Sequence, residues 1–254
     1  MTIASCLGVS ATTLDLPVGS AIPADKSLLP LAAFYTRPPV STRLKQHFIN
    51  GIESVTMLSL LRPSTTGLDE GKKIKEVLVL GVQLKTGSLP MDALEHMAML
   101  RPPGILFVCV RQAALAGDPQ AEVAPDGTTG DGTAGGTCCL VVRRPLPTKV
   151  GHEARHAMYS SPWSPSDKTR LTMSGNDMDG LWESLNAQVI LGSDDPEDLD
   201  ARVANRDHIA DLQAQERKLA GDHARARSTA QRNEIYAKLH KVRTELEGLG
   251  GQAE

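Results

Sequence analysis

The sequence predicts an α/β (α+β) protein, with a mixed β-sheet core flanked by helices and a C-terminal helical hairpin or coiled-coil arm. Apolar runs of strand length, such as Val77–Leu84 and Ile105–Arg111, alternate with segments whose apolar residues recur at helical spacing. Nothing beyond about residue 194 resembles a strand. There, Ile235, Leu239, Val242, Leu246 and Leu249 recur at spacings of four, three, four and three, a heptad seam. The chain has 254 residues, 41% of them hydrophobic, enough for one large core and an appendage.

Residues 1–33 are rich in Ala, Ser, Thr and Pro without a period, which predicts an irregular lead-in with Cys6 in its tail. The core is expected over residues 34–193. Ser41 or Thr42 can cap a helix from about Arg43, whose apolar face is Leu44, Phe48, Ile52 and Val55. Glu53 falls on that helix. Thr56–Arg62 then reads as a strand stopped by Pro63, and Ser64–Lys73 as a polar loop. Val77–Leu84 is nearly all apolar, the pattern of a strand buried on both faces. Met91–Leu100 has Met91, Leu94, Met97 and Ala98 on one helical side. Pro102-Pro103-Gly104 closes it, and Ile105–Arg111 is a second buried strand.

Turn dipeptides crowd residues 117–136, which predicts a long mobile Gly-rich loop. Strands follow over Thr137–Arg144 and Ala154–Ser160. Met178–Leu191 is a helix with Leu181, Trp182, Leu185 and Val189 inward and Asn176 or Asp177 as cap. Residues 194–254 read as an acidic linker and the arm. Ile209, Leu212 and Leu219 form a second seam out of phase with the first, and Gly221 with an Ala/Arg/Ser stretch lies between them. Two antiparallel helices explain that break better than one rod. The seam can close the hairpin internally or meet another chain.

A formal charge of −3 excludes a strongly basic whole-chain footprint for nucleic acid. No apolar run reaches the roughly 20 residues of a membrane helix. Met1–Thr13 lacks the cationic start and apolar run of a secretory signal. Four cysteines without a CxxC pair read as reduced thiols, so a cytoplasmic location is expected.

His152-Glu153-Ala154-Arg155-His156 matches H-E-x-x-H, in which a helix brings two imidazoles to zinc. Prolines at 145, 147, 162 and 165 bracket it, and Arg155 puts a cation beside the ion, so zinc proteolysis is the least favoured reading. Gln83-Leu84-Lys85 at a strand end, assisted by Glu53, has part of the metal-dependent nuclease pattern of restriction endonucleases. There, carboxylates hold a divalent ion and the lysine steadies charge on water or phosphate. Thr56–Arg62 supplies no acid to complete the set. The Gly-rich loop lacks the Gly-Lys-Ser/Thr ending of a phosphate cradle. His96 reads as a packing or surface residue. On the arm, His223–Arg232 is locally cationic but contains no aromatic for base stacking.

Scattered segments resemble one bacterial family, the domain of unknown function numbered four-three-nine-one. They are Asp15-Leu16-Pro17, Ile22-Pro23, Phe34-Tyr35 leading into Val40–Phe48, Val77–Lys85 and Pro102–Arg111. Tyr159–Trp163, Met178–Leu185 and Gln231–Glu234 with Leu239–Leu249 continue the likeness. The resemblance implies genes beside Swi/Snf-type helicases and DNA methyltransferases, in clusters that look like restriction or anti-phage systems. It carries over no catalytic residue. The expectation is therefore a non-enzymatic accessory subunit without a cofactor, partnered by a helicase or DNA methyltransferase and touching DNA at most indirectly. Ile235, Leu239, Val242 and Leu246 are its candidate interaction residues, with self-association through the arm an alternative. The rivals are the nuclease through Glu53, Gln83 and Lys85, and the zinc protease through His152 and His156.

Overall fold

A computed structural model describes residues 2–36, 39–101, 104–112, 136–147 and 155–250. Two compact units emerge, residues 1–197 and 198–254.

The first unit opens with a small hairpin of β1 (Ser5–Cys6) and β2 (Val9–Ser10). Ala4, Cys6, Val9, Ala11, Leu14 and Leu16 are buried, so the segment predicted as a lead-in is part of the core. Cys6 is not in a tail: burial pushes its thiol up to about 12. Strands of two residues are too short to show a period, which is why the sequence conceals them. The hairpin lies against the strands Ile52–Leu61 and Val77–Leu84. A Cβ on Gly81 would sit 2.6 Å from the Cys6 Cβ, so the glycine in that apolar run marks the contact.

Next come β3 (Leu28–Leu29), α1 (Ala33–Thr36) and α2 (Thr42–Gly51), the last capped by Ser41, whose hydroxyl accepts from the Leu44 N–H. The sequence reading extended α2 through Val55; the helix instead ends at Gly51. Ile52, Glu53 and Val55 belong to β4 (Ile52–Leu61). Glycine weakens the helix there, and the β-branched residues that follow suit the pleat. After one helical turn, α3 (Pro63–Thr66), which overlaps the start of the expected loop, come β5 (Val77–Leu84), α4 (Met91–Met99) and β6 (Ile105–Arg111). β5 and β6 are parallel, joined by α4 as the crossover. Gly104, at φ +110°, makes the entry to β6, where a Cβ would run into the Glu76 carbonyl.

β7 (Thr137–Pro145), β8 (His156–Ser160) and β9 (Ser164–Pro165) complete a seven-stranded mixed sheet of order β3-β4-β5-β6-β7-β8, with β9 on β7. α5 (Met178–Leu191) packs on β7 and β8. Its cap is Asp177, which accepts from the Gly180 N–H at 2.7 Å, and Trp182 is buried as expected. The core between the sheet and α2 and α4 contains Phe48, Ile52, Val55, Leu80, Val82, Leu94, Met97, Phe107 and Val141. His96 is a packing residue there, edge-on to Phe48 with its Nε2 2.9 Å from the Phe34 carbonyl. The expected Gly-rich loop lies, apart from Gly136, outside the described residues, as does Ala154 of the expected strand Ala154–Ser160.

The second unit is a hairpin of α6 (Leu199–Arg225) and α7 (Thr229–Gly250). His208 pairs with Glu245 and Glu216 with Arg243, so the helices run antiparallel. Of the expected break, Gly221 lies inside α6, and the chain reverses at residues 226–228, within the Ala/Arg/Ser stretch. Leu212, Leu239 and Val242 are buried, with Ile235 and Leu246 half-buried. The seam closes between α6 and α7.

Candidate functional site

The structure brings Glu53, Gln83 and Lys85 together at one corner of the sheet. β4 and β5 pair antiparallel, with Ile52 opposite Leu84 and Ser54 opposite Gln83. Two residues of β4 thus advance against one of β5, a bulge at Glu53. Glu53 reaches Lys85 Nζ at 3.7 Å from this strand position, not from the preceding helix. Lys85 Nζ also donates to the Ile49 carbonyl at 2.8 Å, and the Ser54 hydroxyl donates to Gln83 Oε1 at 3.2 Å. The corner offers one carboxylate and one cation engaged with each other, the cation also with the backbone, and one amide oxygen engaged by Ser54.

His152 lies outside the described residues. His156 opens β8, paired with Pro145, so extended backbone stands where the zinc motif needs helix at its second imidazole. Among the described residues, no three His, Cys, Asp or Glu side chains are grouped to hold a metal ion. The four cysteines are free and buried. Burial drives Cys109 well above the usual thiol range and Cys139 to about 11, away from the thiolate that would react.

At the opposite end of the sheet, a cleft of about 820 Å3 opens between the last turn of α4 and the first turn of α5. Ile105 begins β6 there and Pro145 ends β7. Ile74, Met99, Ile105 and Trp182 give it apolar walls, and Lys73, Arg101 and Arg143 give it cations. Met99 is 63% exposed on the rim. Most of the charged lining is fixed. Arg101 pairs with Glu76 at 3.2 Å, and Glu183 with Arg144 at 2.7 Å. Arg143 Nε is 4.0 Å from Glu95 and makes no hydrogen bond among the described residues.

Asp179, in the first turn of α5, accepts from the backbone N–H groups of Lys72 at 2.8 Å, Lys73 at 3.0 Å and Ile74 at 2.7 Å. Burial pushes its carboxyl up, but these three donors and the Lys73 charge outweigh it and hold the group below its ordinary value. Asp179 is therefore a clamp on the loop before β5, not a proton donor near neutrality. Asp179→Ala is expected to lower stability at pH 7 by about 1.5–3 kcal/mol, the scale of hydrogen bonds to a charged group. A depressed folded-state pKa stabilises fully above the unfolded value, and that contribution is lost as pH falls through the folded value. The gap between wild type and variant in urea midpoints should therefore close as pH drops below the ordinary carboxylate range. A gap independent of pH would overturn the clamp.

The cleft was missed in the sequence because its parts are far apart in the chain: Asp179 meets Ile74 across 105 residues. The one local signal was an acid in the first turn of a capped helix, a position the helix dipole favours on its own.

No helix among the described residues is long and apolar enough to cross a membrane. No curated protein and no solved structure matches the chain. A family model described as a domain of unknown function (DUF4391) matches residues 14–246. That match spans both the sheet unit and most of the hairpin, and the chain belongs to this family.

Proposed function

We propose that this protein is a cytoplasmic, non-enzymatic accessory subunit of a bacterial DNA-modification or anti-phage system, partnered by a helicase or DNA methyltransferase. The observation that carries the reading is the state of the cleft's charges. Asp179, Glu183 and Arg101 are each locked by backbone donors or an ion pair. They stand beside an exposed Met99 and apolar walls. Fixed charge next to open apolar surface suits recognition of a partner, whereas proton transfer wants groups whose pKa is tuned toward the working pH. The class of partner is what the family resemblance implies.

A second reading is favoured by one specific feature. Support for a metal-dependent nuclease comes from the bulge that sets Glu53 3.7 Å from Lys85 at the carboxyl end of β5, which pairs in parallel with β6, because open sheets bind ligands at such ends. One carboxylate is a poor cage for magnesium, which ranks this reading second.

Tagged protein purified from its native host, followed by mass spectrometry and metal analysis, tests both. Co-purification of a helicase or methyltransferase at stoichiometric level, lost on Met99→Asp, is the expected result. Magnesium- or manganese-dependent DNA cleavage by the isolated protein, abolished in Lys85→Ala, would replace the first reading with the second.

A further inference from the structure

The distal half of the hairpin has a charge balance unlike that of the whole chain. From Arg217 to Arg243 there are eight Lys and Arg side chains and two carboxylates, in a protein of formal charge −3. All eight cations are exposed. Both carboxylates are engaged within the segment, Asp222 with Arg225 at 2.9 Å and Glu234 with Lys238 at 2.7 Å. Arg243 is held by Glu216, and Arg232 donates to the Ala226 carbonyl at 3.2 Å. Arg217, Lys218, Arg227 and Lys241 meet no carboxylate within 4 Å among the described residues.

An aromatic group sits in this patch that the sequence did not place there. The chain reversal at residues 226–228 sets Tyr236 of α7 beside His223 of α6, with ring centroids 6.1 Å apart. His240 follows one turn later, 6.4 Å from Tyr236. Tyr236 is 54% exposed. Arg232, Tyr236, His240 and Arg243 recur at intervals of four, four and three, so they share one face of α7. Cations flanking an exposed ring are the two components of single-strand recognition: charge along the backbone and a face on which a base can stack. An acidic peptide would satisfy the cations and leave the ring unused.

We propose that the hairpin tip binds single-stranded nucleic acid, with Arg227 at the reversal and Arg232 on the ring's face of α7 contacting phosphates and Tyr236 stacked on a base. This goes beyond the accessory role and does not depend on it, because the patch lies wholly within residues 198–254.

The test is fluorescence anisotropy of the full chain with a labelled oligo-dT of about 20 nucleotides, as a function of salt. Wild type should bind with a steep salt dependence. Arg227→Glu with Arg232→Glu should weaken binding at least about tenfold and flatten the log–log salt slope by about 1.4, at roughly 0.7 per phosphate contact on a single strand. Tyr236→Ala should weaken binding about five- to tenfold with little change of slope, and Tyr236→Phe should restore it. These positions are exposed, and an unchanged circular dichroism spectrum verifies that the hairpin persists. No binding by wild type at low salt, or variants that bind as wild type does, would overturn the proposal. So would displacement by polyglutamate at equal charge, or duplex DNA bound as tightly and without response to Tyr236→Ala.

Discussion

Replacing Phe48 by alanine is expected to lower the stability of the sheet unit by about 3–5 kcal/mol, the range for truncating a fully buried aromatic. Phe48 is 0% exposed. Its ring lies parallel to Phe34 at 6.4 Å between centroids, 5.7 Å from Tyr35 and 6.0 Å from His96. It therefore joins α1, α2 and α4 over β5 and β6. Aromatic residues are only 3% of the chain, so few large side chains can refill the space. The shortened residue leaves a cavity lined by strand residues that the sheet ladders hold in place. Urea denaturation should show a lower midpoint with an unchanged slope, which identifies a change of stability and not of the surface exposed. Phe48→Leu should fall between the two, because it keeps more of the volume. A loss below about 1 kcal/mol would mean that α2 is not part of the cooperative core.

The residues around Phe48 also show what a sequence records and what it conceals. Leu44, Phe48, Ile52 and Val55 have helical spacing, yet the helix ends at Gly51. Phe48, Ile52 and Val55 belong to the same buried cluster, with Leu44 packed against it. The spacing registered which residues face the core, and the backbone between them changed from helix to strand without breaking that pattern. Val77–Leu84, Ile105–Arg111 and Met178–Leu191 were legible to within a residue, because each is bounded by Gly, Pro or a capping Asp and is buried along its length.

The sites were legible only in part, for a different physical reason. Gln83 near the end of β5 and Lys85 just past it could be named from local spacing, but the bulge that brings Glu53 to Lys85 is a property of the β4–β5 ladder and has no local signature. Asp179 and its three backbone donors come from separate segments. The neighbourhood of Tyr236 depends on where the chain reverses. A break at Gly221 would put His223 past the turn; the reversal at 226–228 keeps His223 in the last turn of α6, beside Tyr236. A shift of a few residues in one loop decides whether the cationic stretch has an aromatic beside it.

Replacing Leu239 and Leu246 together by aspartate is expected to melt the hairpin while residues 1–197 stay folded. Leu239 is buried and Leu246 half-buried in the seam with α6, and an ionised carboxylate placed there loses hydration without gaining a partner. α6 and α7 have mean hydropathies typical of surface helices, and neither can rely on propensity alone once the seam opens. They are 27 and 22 residues long, so the circular dichroism signal at 222 nm should fall by roughly half. The thermal transition of the sheet unit should be retained, because the hairpin is a separate compact unit. The seam closes within the chain, so light scattering should give the same mass for wild type and variant. A dimeric wild type that becomes monomeric on this substitution would assign the seam to contact between chains. Melting also separates His223 from Tyr236, so the variant should lose oligonucleotide binding although every cation of the tip is still present. Retained binding would show that charge alone, without the folded hairpin, accounts for the affinity.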